Sequence, residues 1–178
     1  ALLAFALDQL GAQPSYAVGA LVPQLQPQAR FAVERDGAKT LFALETDESD
    51  GTLCEFHPSH AIILNVDEEH LDYYANLEAV CREFRAFGEQ TAGTLVFCAD
   101  DPQLAALFSQ RPGSVSYGFN PMATYRLAAF KDGGVHFAGS HFEGWHRGEV
   151  LGEFAISLLG EQEASNAVAV LALPHQPG

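Results

Sequence analysis

Two apolar stretches of the chain each run into a cluster of carboxylates, and the second cluster also contains a histidine. Residues 41–44 (LFAL) lead into Glu45 and further acids, and residues 61–64 (AIIL) lead into a segment that contains His70. Open parallel sheets bind ligands outside the carboxyl ends of their strands. Carboxylate oxygens suit Mg²⁺, and imidazole is a less usual ligand that can orient water or phosphate. We therefore predict that Glu45 and His70, each following one of two adjacent strands, converge on one cation.

A solvated acidic turn would explain the same residues without a metal ion. In that interpretation Asp47, Glu48 and Asp50 face water, and His70 caps a loop. Spacing alone does not separate the two interpretations.

Two further histidines form an H-x-x-H pair close to these acids. Pro58 stands between His57 and His60 and opposes their presentation on a helix. Zinc sites usually have four tight ligands, so surface histidines are the favoured interpretation. A small metal-dependent hydrolase that uses His57, His60 and His70 is the weaker alternative.

The charge balance excludes several classes of partner. The 178 residues contain 9 Lys and Arg against 23 Asp and Glu, a formal net charge of -14. Such a chain repels nucleic acid and anionic membranes. No apolar run approaches the roughly 20 residues of a membrane-spanning helix. Cys54, Cys81 and Cys98 are odd in number and lack C-x-x-C spacing, which favours reduced thiols in the cytoplasm.

Common catalytic motifs are missing from the sequence. Residues 37–40 (GAKT) imitate the end of a phosphate-binding loop, but no glycine stands five positions earlier and an apolar strand follows. That loop needs a helix after it to cradle phosphate. There is no G-x-S-x-G elbow and no cysteine beside a credible base. We therefore predict no covalent nucleophile.

The pattern of apolar residues predicts an α/β fold. We expect a mostly parallel open sheet with flanking helices and a small antiparallel edge over residues 124–158, where glycine pairs punctuate short segments. Residues 12–39 are mixed and are broken by prolines. The predicted helices cover 1–10, 76–88, a segment opened by Asp101-Pro102, and 161–172, and the predicted strands cover 40–45, 60–65, 94–98 and 114–119.

At its acidic segments the chain resembles the central domain of the Mur ligases, most closely the UDP-N-acetylmuramate:L-alanine branch. Residues 45–51 (ETDESDG) resemble the family's E-A-D-E-S-D segment, and residues 65–74 (NVDEEHLDYY) resemble its N-I-x-x-x-H-x-D-x-Y segment. Weaker agreement continues to residue 172. The resemblance implies that residues 1–178 are one ATP-binding domain that lacks its phosphate loop and the N- and C-terminal domains of the enzyme.

The resemblance also implies an activity and its ligands. A Mur ligase uses ATP to convert the carboxylate of UDP-N-acetylmuramate into an acyl phosphate, which an amino acid, here L-alanine, converts into an amide during peptidoglycan synthesis. Carried over to this sequence, Glu45 and His70 would be Mg²⁺ ligands, and Asn65 and Asn166 would lie at the nucleotide. This chain alone is expected to be inactive.

One segment departs from the family pattern. Where the family has G-x-H-N-x-x-N, residues 160–166 read GEQEASN, so Gln162 and Glu163 replace the His-Asn pair. Added negative charge near a nucleotide is unfavourable. The departure supports the alternative of a degenerate, non-catalytic Mur-like binding module.

Overall fold

The computed structural model of the protein describes residues 1–33, 40–67, 74–133 and 138–173. The chain divides into two compact units, Ala1–Asp47 and Glu48–Gly178. Across the described segments, no helix is both long and apolar enough to cross a bilayer.

The first unit combines one helix with a small sheet. Helix α1 (Leu2–Gln9) precedes strands β1 (Ser15–Ala17), β2 (Ala29–Arg30) and β3 (Phe42–Leu44). The strand order is β2-β1-β3, and β1 runs antiparallel to β2 and parallel to β3. The core of this unit consists of Ala4, Tyr16, Val18 and Leu25.

The second unit contains a six-stranded sheet in the order β4-β5-β6-β7-β8-β9. Neighbouring strands are parallel from β4 to β7 and antiparallel from β7 to β9. This arrangement confirms the predicted fold class, including the antiparallel edge. The strands are β4 (Ala61–Ile63), β5 (Leu95–Cys98), β6 (Ser114–Gly118), β7 (Tyr125–Asp132), β8 (Ser140–His146) and β9 (Glu149–Ile156).

The described residues of the second unit form three α-helices: α2 (Leu77–Gln90), α3 (Pro102–Phe108) and α4 (Glu161–Ala172). Their starts follow the local signals that the sequence carries. The Asn76 side chain accepts from the amide of Ala79 at 3.0 Å and caps α2. Asp101 caps α3, whose first residue is a proline. Both caps satisfy amides that have no partner within the helix.

The pairing of β3 differs from the prediction. We expected residues 40–45 and 60–65 to form adjacent strands that are covered on both faces. Instead β3 pairs with β1, and β4 pairs with β5 in the other sheet. Phe42 and Leu44 are 59% and 41% exposed. An apolar run indicates a strand but does not show which strand it pairs with. The sequence did not predict β1, because this strand has only three residues and lies in a stretch that prolines interrupt.

Candidate functional site

Glu45 lies at the carboxyl end of the parallel pair in the first unit. Ala17 of β1 is opposite Leu44 of β3, and the Glu45 amide donates to the Ala17 carbonyl at 3.0 Å. The carboxyl ends of β1 and β3 therefore share one edge. The Glu45 side chain is 46% exposed, so its carboxylate is accessible to a ligand.

The first turn of α1 lies beside this carboxylate. The backbone nitrogen of Ala1, which immediately precedes α1, is 3.0 Å from Oε2 of Glu45. Gly19, just beyond β1, also approaches closely, because a Cβ there would lie 3.7 Å from Oε1 of Glu45. The first turn of α1 and the ends of two strands thus lie together within the first unit.

This arrangement suits a hard cation. Magnesium in nucleotide sites is held by one or two carboxylates together with phosphate oxygens. A half-exposed carboxylate at the carboxyl end of a strand fits that donor set, so Glu45 is a chemically suitable Mg²⁺ ligand.

The second predicted ligand, His70, lies outside the described residues. Its convergence with Glu45 therefore stays a prediction. Asn65 follows β4 at the carboxyl end of that strand and is exposed. Its role at the nucleotide also stays a prediction.

Two adjacent carboxylates at the same edge of the large sheet have structural roles. Asp100 accepts from the amides of Phe119 and Asn120, both at 2.7 Å. Asp101 accepts from the amide of Val66 at 2.8 Å in addition to capping α3. Together they tie the loops that follow β4, β5 and β6. Sequence reasoning recognised the cap but missed these ties between loops.

Residues 160–166, which depart from the family pattern, contain the start of α4. Gly160 precedes the helix with φ +105°, and Glu161 and Glu163 lie in the first turn. Carboxylates there stabilise a helix by interacting with its dipole. The side-chain Nε2 of Gln162 donates to the side-chain Oδ1 of Asn166 at 3.3 Å. That bond occupies the carbonyl oxygen of Asn166, the residue that we expect to meet the nucleotide.

The alternative metal site receives limited support. His57 and His60 are exposed, and Nδ1 of His60 accepts from the amide of Thr94 at 3.1 Å. Within the described parts of the chain, no group of three or more His, Cys, Asp or Glu side chains could hold a metal ion. For Asp50 the structure favours the solvated turn, because hydrogen bonds from Thr52 lower the pKa of this exposed carboxylate.

The cysteines are free thiols that hold their protons. Partial burial, together with the nearby Glu83 carboxylate, raises the pKa of Cys54 to about 11. Burial also raises the pKa values of Cys81 and Cys98. The thiolate is the nucleophilic form, so none of the three is prepared for covalent catalysis.

Alkylation of Cys54 should be slow in the folded protein. A pKa of about 11 instead of an ordinary value of 9.0 lowers the thiolate fraction at pH 8 about a hundredfold. We expect iodoacetamide to modify Cys54 at least that much more slowly in native protein than in urea, as followed by peptide mass spectrometry. Equal rates would contradict the environment described here. Because the folded state retains the proton, this thiol should also lower stability as pH rises from about 9 to about 11.

Comparison with known proteins identifies the class to which this α/β unit belongs. Residues 9–173 match the Mur ligase middle domain. The chain belongs to the Mur ligase middle domain family.

Curated relatives agree with the family assignment. UDP-N-acetylmuramate--L-alanine ligase of Myxococcus xanthus is 34% identical over 178 residues, covering 98% of this chain and 36% of the relative. The enzyme of that name from Gloeobacter violaceus is 35% identical, covering 97% of this chain and 35% of the relative. The chain thus spans about a third of the length of these relatives.

Solved structures share the fold. UDP-N-acetylmuramate-alanine ligase MurC from Thermotoga maritima aligns over 97% of this chain and 37% of its own, with a TM-score of 0.78 and 25% identity. A Neisseria ligase of UDP-N-acetylmuramate and a peptide, MPL, aligns over 97% and 56%, with a TM-score of 0.81 and 19% identity. MurF from Thermotoga maritima, solved in complex with ADP, aligns over 97% and 40%, with a TM-score of 0.69 and 16% identity.

Proposed function

We propose that residues 1–178 are the ATP-binding central domain of an ATP-dependent ligase that joins L-alanine to UDP-N-acetylmuramate in peptidoglycan precursor synthesis. The observation that carries the proposal is the position of Glu45 at the carboxyl ends of β1 and β3, beside Gly19 and the first turn of α1, in a chain of this family. The relatives named as L-alanine ligases support the choice of substrates. The ADP complex of the MurF relative supports the choice of nucleotide.

The proposed reaction has two steps. The carboxylate of UDP-N-acetylmuramate attacks the γ-phosphate of ATP, which releases ADP and gives an acyl phosphate. The amine of L-alanine then attacks the acyl carbon and displaces phosphate, which leaves an amide. Bound Mg²⁺ would neutralise charge on the phosphate oxygens. No residue of this chain needs to form a covalent bond with substrate.

In this scheme the residues of this chain bind and orient the cation and the nucleotide. Glu45 and His70 hold the cation. Asn65 and Asn166 contact the nucleotide. The phosphate loop and the domains for the sugar nucleotide and the amino acid belong to the remainder of a longer protein. We place that protein in the cytoplasm, where the three free thiols stay reduced, and we propose neither nucleic acid nor membrane as a partner.

Product formation by the full-length protein tests this proposal. Incubation with ATP, Mg²⁺, UDP-N-acetylmuramate and L-alanine should yield ADP, phosphate and a product one alanine residue heavier by mass spectrometry. Omission of either the sugar nucleotide or L-alanine should stop product formation. Absence of the product from protein that is folded and binds UDP-N-acetylmuramate would contradict the proposal. The 178-residue chain alone should release no phosphate from ATP.

A non-catalytic Mur-like module is the second candidate, and Gln162 and Glu163 favour it. A carboxylate in the first turn of α4 repels an anionic nucleotide, and Glu163 is half-buried there. A folded full-length protein that binds no ATP, with or without Mg²⁺, would favour this module over the ligase.

If the protein is the proposed ligase, Glu163→Gln should tighten ATP binding. Removing one charge at a helix start changes a nearby anion's binding by about two- to fivefold. Calorimetry of the full-length protein with Mg²⁺ and ATP measures the change. Glu161→Gln is the matched control, because Glu161 lies in the same turn but is exposed. An equal effect of both changes would mean that Glu163 has no special proximity to the nucleotide.

A further inference from the structure

One arginine joins most of the elements of the first unit. Arg30 lies on β2 directly opposite Tyr16 of β1. Its guanidinium carbon stands 4.9 Å from the centre of the Tyr16 ring. The same guanidinium donates to Oδ1 of Asp8 on α1 at 2.5 Å and to the carbonyl of Pro14 at 3.3 Å. Arg30 therefore connects α1, the loop before β1, and the β1–β2 ladder.

These contacts lie at the end of α1 opposite the candidate site. Asp8 belongs to the last turn of α1, whereas Ala1 at the other end contacts Glu45. Eight helical residues span about 12 Å. Pro14 and Gly19 likewise flank opposite ends of β1. Helix and strand thus run side by side, with Arg30 at one end and Glu45 at the other.

The charge of Arg30 also corrects an unfavourable feature of α1. A carboxylate in the last turn of a helix repels the negative end of the helix dipole, and a cation there is favourable. Arg30 and Asp8 are 36% and 28% exposed, so water screens the pair only in part. Besides this pair, Ala4 is the only residue of α1 in the buried core, with Phe5 packed at its margin.

We propose that Arg30, acting through Asp8, is a positioning residue that sets where the first turn of α1 lies relative to Glu45. The inference rests on the proposed function, because the consequence concerns nucleotide and Mg²⁺ beside Glu45. Loss of the Arg30–Asp8 pair lets α1 shift along β1. The first turn of α1 and the Glu45 carboxylate then no longer keep the relative position in which Mg²⁺ and nucleotide bind.

The test measures the dissociation constant of ATP in the presence of Mg²⁺ by calorimetry on the full-length protein, well below its unfolding temperature. Arg30→Gln and Asp8→Asn should each weaken binding about fivefold or more. The double variant should be no weaker than the weaker single variant, because both changes remove the same pair. In steady-state assays the KM for ATP should rise while the KM for L-alanine stays unchanged.

Two controls separate positioning from general destabilisation. Arg111, in the second unit, also donates through its guanidinium to backbone carbonyls, those of Gly88 and Thr91. Arg111→Gln should lower thermal stability without changing the dissociation constant of ATP. Tyr16→Phe removes the hydrogen bond from the Tyr16 hydroxyl to the Pro27 carbonyl and retains the ring beneath Arg30. It should also leave ATP binding unchanged.

The outcomes distinguish the inference from the function on which it rests. If the wild-type protein binds ATP, and Arg30→Gln and Asp8→Asn bind it with the same affinity, only the positioning role would be overturned. Equal weakening by Arg111→Gln would overturn it as well, since any loss of stability would then suffice. Absence of ATP binding by the folded wild-type protein would overturn the proposed function and this inference with it.

Discussion

Replacing Glu45 by glutamine in the full-length protein is expected to lower the ligation rate by about two to three orders of magnitude at limiting Mg²⁺, the range found when a single charge-stabilising group is removed from an active site. Glutamine retains the size of the side chain and one oxygen but loses the negative charge that a hard cation requires. High Mg²⁺ concentrations should recover part of the rate. Initial rates measured across a Mg²⁺ series give the concentration for half-maximal activity, which should rise.

Glu55→Gln is the control for this change. Glu55 is an exposed carboxylate in the short 3₁₀ turn Leu53–Glu55. It does not belong to the segments that directly follow β1 and β3. Its replacement should leave the rate and the Mg²⁺ dependence unchanged. A Glu45→Gln protein that is folded and keeps the wild-type Mg²⁺ dependence would show that Glu45 does not bind the cation.

Gly118→Ala should cause a large loss of stability in the second unit. Gly118 has φ +138°, and a Cβ there would lie 2.2 Å from Oδ2 of Asp100. An alanine therefore strains the backbone and also displaces the carboxylate that accepts the amides of Phe119 and Asn120. We expect about 3 kcal/mol of destabilisation from the two effects. Thermal unfolding of this chain should then occur near 10 °C lower, roughly.

Gly148→Ala separates strain from displacement. Gly148 also has a positive φ, +87°, but a Cβ there would meet nothing within 4 Å. Its replacement should cost only the backbone strain, about 1 kcal/mol. Similar shifts in the unfolding temperature for the two variants would mean that Asp100 does not hold the loop after β6.

The sequence predicted those elements whose signals are local. Asn76 and the Asp101-Pro102 pair mark helix starts because a side-chain oxygen caps free amides within three residues. The Arg147-Gly148 turn marks the β8–β9 hairpin because both residues adopt positive φ, at 51° and 87°. In these cases the determining contact lies within the segment itself.

Features that depend on distant partners were not predictable. The pairing of β3 with β1 joins segments far apart in the sequence, and neither strand exceeds three residues. The roles of Asp100 depend on amides nineteen and twenty positions away. An acidic pair in a sequence does not show whether a ligand or the backbone will use its oxygens.

The candidate site was predictable in part for the same reason. A carboxylate directly after an apolar strand must lie at the edge of the sheet, which located Glu45. The proximity of the Glu45 side chain to Gly19 and to the first turn of α1 depends on the packing of the first unit, which the sequence does not show. The contribution of Arg30 was hidden because residues 12–39 carry no regular pattern, and its contacts reach back to Asp8 and Tyr16.

Calorimetric titration of the full-length protein with ATP, in Mg²⁺ and again in EDTA, tests the central claim most directly. The claim is that this Mur ligase middle domain binds ATP through a cation held by Glu45. We predict saturable binding in Mg²⁺, strongly weakened binding in EDTA, and the same weakening in Glu45→Gln with Mg²⁺ present. Equal affinity for ATP in Mg²⁺ and in EDTA, or no binding in either, would contradict the claim.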